Sequence, residues 1–349
     1  MVIKRQRERN TFSDRNPIFG IIRHMKSEKY IAVAPMMHWT DVHCRYFMRL
    51  LNPDIRLYTE MVVADALLYG KAEHLLKFHP AEHPVVLQLG GNDPKKMKDA
   101  AIMGANQGYD EININVGCPS NRVQSGSFGA CLMAQPHLVA ECVDSIISSV
   151  RVPVTVKTRI GIDDFDHYDF LCNFIETVST TGCNTFIIHA RKAILSGLSP
   201  KDNRSIPPLN YERVYQLKAD YENLRIIING GINNLKDCQS HLKVLDGIMI
   251  GRHAYHQPWF LSEIRGLCNS NNQQTTVSRE ELILSMFPYI ESQLRLGIKL
   301  KTITRHMLGL FAYQPGARAW RRHLSMHAHQ KDAGIEVLQE AVRKIPKAA

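Results

Sequence analysis

The sequence of 349 residues lacks any apolar run long enough to cross a membrane. No eighteen consecutive residues are apolar, whereas a spanning helix needs about 20. The first 29 residues also lack the contiguous hydrophobic segment that marks a secretory signal. We therefore expect a cytoplasmic protein with no membrane association.

The eight cysteines include no Cys-x-x-Cys pair and no spacing typical of a zinc site. A chain of this length can bury a full core and needs no disulfide bonds to fold. We therefore expect free thiols and no bound metal.

No aspartate or glutamate occurs between Arg295 and Arg322, a stretch of 28 residues with seven lysines and arginines. Such a block is often only a solvated surface, but clustered cations also gain affinity for polyanions from counterion release. Residues 1–29 carry eight basic and three acidic side chains, which predicts a basic N-terminal arm, with disorder as one alternative. The charge pattern indicates a nucleic acid as a candidate partner.

The chain does contain a regular alternation of strands and helices. Helical spacing with start signals follows most of the strands, with Thr40, Asp93-Pro94, Gln135-Pro136 and Asn234 as signals. Alternation requires parallel strands joined by crossovers, and eight units over roughly 230 residues favour a (β/α)8 TIM barrel over a doubly wound sheet. The predicted strands are Tyr30–Ala34, Ile55–Thr59, Val85–Leu89, Glu111–Asn115, Val154–Lys157, Thr185–His189, Arg225–Asn229 and Gly247–Ile250.

A polar stretch without periodicity follows the last strand and predicts a domain boundary. Ser278-Arg279-Glu280-Glu281 has the pattern of a capping box and opens an apolar-periodic run. In this run Pro288 predicts a kink or break, and Gln314-Pro315-Gly316 predicts a turn. The expected divisions are a barrel domain at residues 30–268, a linker at 269–277 and a small helical domain at 278–349, which carries most of the basic block.

In a barrel the turns after the strands share one face and build the active site. Cys118 lies on such a turn, in the string Asn113-Ile114-Asn115-Val116-Gly117-Cys118-Pro119. Gly117 permits close backbone approach, and Pro119 stiffens the loop. A thiol is mostly protonated at neutral pH, so donating a proton needs no special environment, whereas nucleophilic attack does. We favour the acid role for Cys118.

Glycine-rich turns follow the seventh and eighth strands, where barrels often bind phosphate through backbone N–H groups. Asn229-Gly230-Gly231 and Gly251-Arg252 fit that place, although glycine after a strand is also ordinary turn chemistry. Lys157, His189 and Gln88 lie near the ends of other strands, where each is either a solvated side chain or a ligand contact. Together they suit a flavin, because an ammonium can stabilise charge near N1 and an amide can orient the ring.

These motifs resemble the tRNA-dihydrouridine synthases, and most closely their A type. The similarity extends from about Tyr30 to about Gln330, and it departs from the family pattern at His38, Val42 and Ser127. The matching stretches are Ala34-Pro35-Met36-Met37, Trp39-Thr40-Asp41, the Cys118 string, Gly129-Ala130-Cys131-Leu132-Met133, Val156-Lys157-Thr158-Arg159, Ile188-His189-Ala190-Arg191, Gly197-Leu198-Ser199-Pro200-Lys201, the two glycine turns and Pro315-Gly316-Ala317-Arg318-Ala319-Trp320-Arg321-Arg322.

The resemblance in these residues implies an FMN-containing barrel that uses NADPH to reduce uridines 20 and 20a in the D-loop of tRNA. It implies that Cys118 is the catalytic acid, which protonates C5 after hydride from the flavin reaches C6. Implied contacts to the flavin ring and ribityl region are Pro35, Met36, Met37, Gln88, Lys157 and His189. The implied phosphate cradle is Asn229, Gly230, Gly231, Gly251 and Arg252. The implied tRNA contacts are Asn115, Lys201, Arg204, Arg318 and Arg321.

Two alternatives stay open at this point. A flavin-dependent dehydrogenase of a free pyrimidine, such as dihydroorotate, would have no evident need for the basic block. A non-catalytic RNA-binding barrel would have no need for a flavin. Reduction of a uracil inside RNA requires the base to leave the stack and lie flat on the flavin, and the basic second domain offers a means of holding such a substrate. No obligatory protein partner is evident, and a monomer is expected.

Overall fold

The computed structural model describes residues 29–70, 73–267 and 277–346. Neighbouring strands are parallel and follow the order β2-β1-β9-β8-β7-β6-β5-β4, and β2 also pairs with β4, which closes the ring. The predicted (β/α)8 barrel is therefore confirmed. The strands are β1 (Tyr30–Val33), β2 (Arg56–Tyr58), β3 (Val62–Val63), β4 (Val85–Gly90), β5 (Glu111–Val116), β6 (Val154–Arg159), β7 (Thr185–His189), β8 (Arg225–Asn229) and β9 (Gly247–Ile250).

The eight predicted strands all form, and the sequence missed only the short strand β3 among the described residues. The second position of the barrel is split between β2 and β3. Tyr58 of β2 pairs with Val86, near the start of β4, while Val62 of β3 pairs with Leu89, near its end. A strand of two residues is too short to show an alternating pattern.

Helices cover the outside of the barrel and join its strands. They are α1 (Val42–Leu51), α2 (Ala64–Tyr69), α3 (Pro94–Gln107), α4 (Asn121–Ser125), α5 (Pro136–Ile147), α6 (Tyr168–Ser179), α7 (Tyr211–Asp220), α8 (Leu235–Val244), α9 (Arg252–His256) and α10 (Phe260–Glu263). Asp93 and Asn234 cap α3 and α8 as predicted, each accepting a backbone N–H with its side chain. Gln135 precedes α5 but makes no capping hydrogen bond.

Helix α1 begins one residue later than predicted. Asp41 is its N-cap, because the Asp41 side chain accepts the backbone N–H of Cys44. Thr40 is completely buried, and its hydroxyl accepts the N–H of Met36 at 3.0 Å. The prediction of Thr40 as the start signal was wrong because this hydroxyl holds the turn after β1 instead.

Within residues 277–346, four α-helices follow the barrel. They are α11 (Arg279–Arg295), α12 (Leu300–Thr304), α13 (Ala317–His327) and α14 (Ile335–Arg343). The predicted capping box at Ser278 and Glu281 is present with both of its hydrogen bonds. Pro288 was predicted to mark a kink or a break, and it does not break the helix, since α11 continues through it. Pro288 is exposed, so water can satisfy the carbonyl that its missing N–H leaves free. The predicted turn at 314–316 is present, with Gly316 at a φ of 85°.

The C-terminal helices contact the barrel through α1. The Tyr289 hydroxyl lies 2.7 Å from Nδ1 of His43, and the Tyr289 ring stacks on Tyr46 with centroids 3.8 Å apart. Arg305 forms an ion pair with Asp41. The division into two domains remains a prediction, and the predicted arm and nearly all of the linker lie outside the described residues.

In the part of the chain that the structure describes, no helix combines the length and the apolar character needed to cross a membrane. The described cysteines are all free thiols, as expected.

We predict that Glu82→Ala strongly destabilises the fold. Arg45 donates from Nε to the Glu82 carboxylate at 2.5 Å, and both side chains are buried. Removing one member of a buried pair leaves an uncompensated charge, which lowers the free energy of unfolding by about 3–5 kcal/mol. Urea denaturation followed by circular dichroism measures the change. Asp65→Ala, which breaks the exposed pair with Lys96, is the control, and an equal effect of both variants would refute the prediction.

Candidate active site

Cys118 lies at the mouth of the barrel, on the turn that follows β5, and its thiol is half-buried. Oδ1 of Asn115 accepts the backbone N–H groups of Gly117 and Cys118 at 3.1 and 3.0 Å, which folds the turn over the end of the strand. The thiol sulfur lies 3.5 Å from the hydroxyl oxygen of Ser120. The thiol is therefore held in place but remains accessible from the mouth.

The following 3-10 helix, Gly129–Ala134, supports this turn from behind. Ala130 donates its backbone N–H to the carbonyl oxygen of Cys118 at 2.9 Å. Gly129 has a φ of 78°, and a Cβ added there would lie 2.6 Å from the same carbonyl oxygen. Only glycine permits this approach.

Basic side chains form a cluster at the mouth, at the ends of β6 and β7 and in the loop after β7. They are Lys157, Arg159, His189, Arg191 and Arg204. Cys118 interacts electrostatically with Lys157, Arg159 and Arg204. The mouth is therefore a site of positive potential next to a thiol.

The charge state of this cluster follows from its burial. Burial, and then the cations Arg159 and Lys157, lower the pKa of His189 well below its usual value, so its imidazole is neutral at neutral pH. Burial, and then Arg159, lower the pKa of Lys157 to about 7. The Lys157 ammonium donates to Oδ1 of Asn229 at 3.0 Å.

Three buried nitrogen atoms of the cluster have no hydrogen-bond partner among the described residues. They are Nδ1 of His189, Nε of Arg191 and Nε of Arg204. Buried polar atoms in folded proteins are normally paired. These atoms therefore fit a polar or anionic ligand that binds at the mouth.

The turn after β8 is shaped by two glycines in left-handed conformations. Gly230 and Gly231 have φ values of 113° and 75°. A Cβ on Gly231 would lie 2.5 Å from the hydroxyl of Tyr211, which itself donates to the carbonyl of Gly230 at 2.9 Å. The turn thus requires glycine, and Gly231 is exposed.

The turn after β9 lies beside it. A Cβ added to Gly251 would find its nearest atom 3.9 Å away, at Ala34, so the space above this residue is open. The guanidinium of Arg252 donates to the carbonyl of Arg204 at 2.9 Å. An open glycine next to an arginine fits a phosphate group.

Two of the predicted ligand contacts are engaged within the protein. The Gln88 amide donates from Nε2 to Asn113 and accepts at Oε1 from Asn115, both at 2.8 Å. Asn115 uses its other atom to hold the Cys118 turn. Both side chains therefore have an internal role, whatever they contact in a bound ligand.

The turn after β1 places its residues at different depths. Met36 is buried and Pro35 is half-buried, while Met37 is 48% exposed. Trp39 continues the turn and stacks on Tyr255 of α9, with ring centroids 4.4 Å apart. This stack links the first and last turns of the mouth.

The predicted tRNA contacts fall into two groups. Arg204 belongs to the cluster at the mouth, and Lys201 lies exposed next to it in sequence. Arg318 and Arg321 are exposed on α13 and line a separate groove of about 770 Å³. We call this the α13 groove, and its lining also includes Tyr255, Arg305 and Tyr313.

Sequence reasoning assigned no role to Arg159 and Arg191, although both lie on the predicted rim turns. Arg159 is buried and donates to the carbonyl oxygens of Gly117, Lys192 and Asn203 at 3.0–3.1 Å. It therefore joins the turns after β5 and β7. The sequence feature that could have identified both residues is an arginine at or directly after the end of a barrel strand.

A closed parallel barrel with a thiol, buried cations and an open glycine turn at its carboxyl end belongs to the class of (β/α)8-barrel enzymes. A structural comparison agrees with the fold. A 2-naphthoyl-CoA reductase superposes with a TM-score of 0.51 and 10% identity, over 67% of this chain and 49% of that one.

The chain belongs to the dihydrouridine synthase family, whose model matches residues 32–346. It is 55% identical over 319 residues to the tRNA-dihydrouridine(20/20a) synthase of Shewanella oneidensis, which covers 91% of this chain and 94% of the relative. It is 56% identical to the protein of the same name from Vibrio parahaemolyticus, over 91% of this chain and 97% of that one. The Escherichia coli K12 protein of this name is 54% identical, over 90% of this chain and 91% of that one.

The lowered pKa of Lys157 predicts a pH-dependent effect of Lys157→Met on stability. The pKa of about 7 in the folded protein lies below the usual value of 10.5, so between these values the unfolded chain binds more protons, and wild-type stability rises with pH. In the ligand-free proteins, Lys157→Met should therefore gain stability relative to wild type, most at low pH and least above pH ~10.

Urea denaturation at pH ~6.5 and pH ~9.5 measures this difference, because all other groups are shared between the two proteins. Lys201→Met, at an exposed position, is the control. If the difference in the free energy of unfolding between Lys157→Met and wild type does not change with pH, the lowered pKa of Lys157 is contradicted.

Proposed function

We propose that this protein reduces the C5–C6 double bond of uridines 20 and 20a in the D-loop of tRNA, with FMN as cofactor and NADPH as electron donor. The observation that carries the proposal is the half-buried thiol of Cys118 beside the cations of the barrel mouth. The relatives with more than half of their residues identical are named for this product and these positions.

The residues at the mouth fit FMN. The phosphate would lie between the Gly230-Gly231 turn and the Gly251-Arg252 turn, where Gly251 has open space above it and Arg252 supplies a guanidinium. Nδ1 of His189 has no hydrogen-bond partner among the residues that the structure describes, and it would receive a polar group of the cofactor. Lys157 would hold its positive charge near the ring, and Met36 and Gln88 would contact it from the barrel side.

When bound, FMN reduced by NADPH supplies hydride to C6 of the uracil. Cys118 would donate its proton to C5 of the uracil. Lys157, Arg159 and Arg204 interact electrostatically with Cys118 and would offset the negative charge that this transfer leaves on the sulfur. The turn held by Asn115 fixes the sulfur, so that little reorganisation is needed at the moment of transfer.

The α13 groove supports tRNA as the substrate. Arg305, Arg318 and Arg321 line it, within a segment that contains no acidic residue. Tyr313 also lines the groove and is 85% exposed, which suits stacking on an unpaired base. Lys201 and Arg204 would contact the same RNA at the mouth. We propose that the protein acts as a monomer and needs no protein partner for this reaction.

The test of this function is the modification pattern of tRNA. Digests of tRNA from cells with and without the gene are compared by mass spectrometry, and dihydrouridine at positions 20 and 20a should be absent without it. Expression of the gene should restore it. An unchanged amount in the deletion strain would rule the function out, and loss at other positions would refute the choice of uridine.

We predict that Cys118→Ala binds FMN normally but transfers hydride to tRNA poorly, because C5 lacks its proton donor. Loss of a general acid lowers the rate by about a hundredfold or more. Single-turnover oxidation of the reduced protein by tRNA measures the rate. Cys131→Ala, which removes the half-buried thiol that donates to the Phe128 carbonyl, is the matched control. A normal rate for Cys118→Ala would refute the acid role.

We predict that the double variant Arg318→Ala, Arg321→Ala binds tRNA more weakly and with a smaller salt dependence. Each lost phosphate contact reduces the slope of log K against log salt by roughly 0.7–0.9. Reduction of the flavin by NADPH should be unchanged. Arg295→Ala serves as the control, since it removes an exposed cation that does not line the groove. Equal effects of the two substitutions would place the RNA elsewhere.

A further inference from the structure

A chain of hydrogen-bonded side chains crosses the barrel interior from the Cys118 turn to the opposite end. Its successive donor-to-acceptor distances are 2.8, 2.8, 2.8 and 2.7 Å. In order from the mouth, its members are Asn115, Gln88, Asn113, Thr155 and Glu111. Three of them lie on alternate positions of β5, all facing the barrel interior.

The direction of this chain is set at the mouth. The backbone N–H groups of Gly117 and Cys118 can only donate, so Asn115 must turn its Oδ1 toward them. Its Nδ2 then faces Gln88, which must present Oε1 to it. The other side of the Gln88 amide is therefore a donor, and it meets Oδ1 of Asn113.

The same matching of donors and acceptors fixes the side chains toward the base of the barrel. Nδ2 of Asn113 donates to the hydroxyl of Thr155, whose own hydrogen must find a different acceptor. That acceptor is Oε1 of Glu111, at 2.7 Å. The hydroxyls of Tyr30 and Tyr58 also lie within hydrogen-bonding distance of the Glu111 carboxylate and of each other, so at least one of them donates to Glu111 beside Thr155.

Reversal of one amide in this chain would set donor against donor and acceptor against acceptor. An isolated buried asparagine has no such restriction, since its two ends are nearly equal in shape. The acceptor at Glu111 thus fixes Thr155 and, through Asn113 and Gln88, supports from the base of the barrel the same orientation of Asn115 that the backbone N–H groups require at the mouth. Glu111 is 6% exposed, and burying a carboxylate is unfavourable unless its hydrogen bonds are all made.

We propose that Glu111 and Thr155 are positioning residues for Cys118, and that they act through the amide chain from the far end of the barrel. Glu111 lies four positions before Asn115 on β5, a distance of roughly 13 Å. The effect on the reaction rests on the proposed function, whereas the effect on the Cys118 turn does not.

The test breaks one link of the chain. Thr155→Val removes the hydroxyl at nearly constant volume, leaving Asn113 without an acceptor and Glu111 without one of its donors. Thr155→Ser keeps the hydroxyl and should restore the wild-type behaviour. Thr185→Val is the matched control, because Thr185 is a buried threonine at the start of the neighbouring strand whose hydroxyl donates only to Asn184 among the described residues.

The first readout is alkylation of the Cys118 thiol by iodoacetamide, followed by mass spectrometry of the peptide, with half-buried Cys172 as the internal reference. A loosened turn should alkylate several times faster relative to Cys172 in Thr155→Val, but not in Thr155→Ser or Thr185→Val. The second readout is single-turnover oxidation by tRNA, which should slow roughly tenfold in Thr155→Val. Circular dichroism and FMN binding establish that each variant is folded.

A Thr155→Val protein with wild-type alkylation ratio and wild-type transfer rate would overturn the proposal, and so would equal effects of Thr155→Val and Thr185→Val. If the wild type fails to react with tRNA, the proposed function is wrong. The alkylation ratio still tests whether Thr155 and Glu111 position the Cys118 turn.

A second pair of variants covers the case in which Thr155→Val does not fold. Glu111→Gln and Glu111→Leu both remove the charge that faces Arg56 at 3.9 Å, but only glutamine keeps an acceptor oxygen for Thr155. Glutamine should therefore give the wild-type alkylation ratio and leucine the loosened one. Identical ratios in the two variants would show that the charge, rather than the acceptor, is what matters, and would overturn the proposal.

Discussion

The structure depends on the pleat of β5. Alternate residues of a strand face opposite sides, so Glu111, Asn113 and Asn115 all point into the barrel while Ile112 and Ile114 pack outside it. A polar interior along one strand is tolerable only if every group finds a partner. The barrel supplies these partners from β4 and β6, whose register against β5 brings Gln88 opposite Asn113 and Thr155 opposite the same residue. The geometry of the turn that carries Cys118 depends on this arrangement.

Much of the barrel was predictable because its signal is local. Strand positions follow from short apolar runs and turn residues, and those at 185–189, 225–229 and 247–250 were predicted without error in their ends. The failures have local causes too. Val62–Val63 is too short to show a period, and Thr40 resembles an N-cap but is buried against the backbone of Met36. Pro288 does not end α11 because its position on the helix faces solvent.

The site was predictable only in part, because burial and pairing are properties of the assembled chain. The positions of Cys118 and of the two glycine turns follow from the strand ends. The burial of Arg159, and its bonds to two separate loops, depend on contacts between residues more than 30 positions apart. The internal bonds of Gln88 and Asn115 likewise join two neighbouring strands, β4 and β5. No pattern within one segment of sequence contains that information.

The contact between the C-terminal helices and α1 has a consequence for substrate selection. Tyr289 and Arg305 both attach to this helix, whose N-cap Asp41 lies four positions beyond Met37. The separation between the α13 groove and the thiol is therefore set by direct side-chain contacts as well as by the connecting segment. On the proposed function, the α13 groove holds the polynucleotide backbone at a fixed distance from the thiol that reacts. The protein can then select a nucleotide by its distance along the chain from the bound phosphates, with no need to recognise the flanking bases.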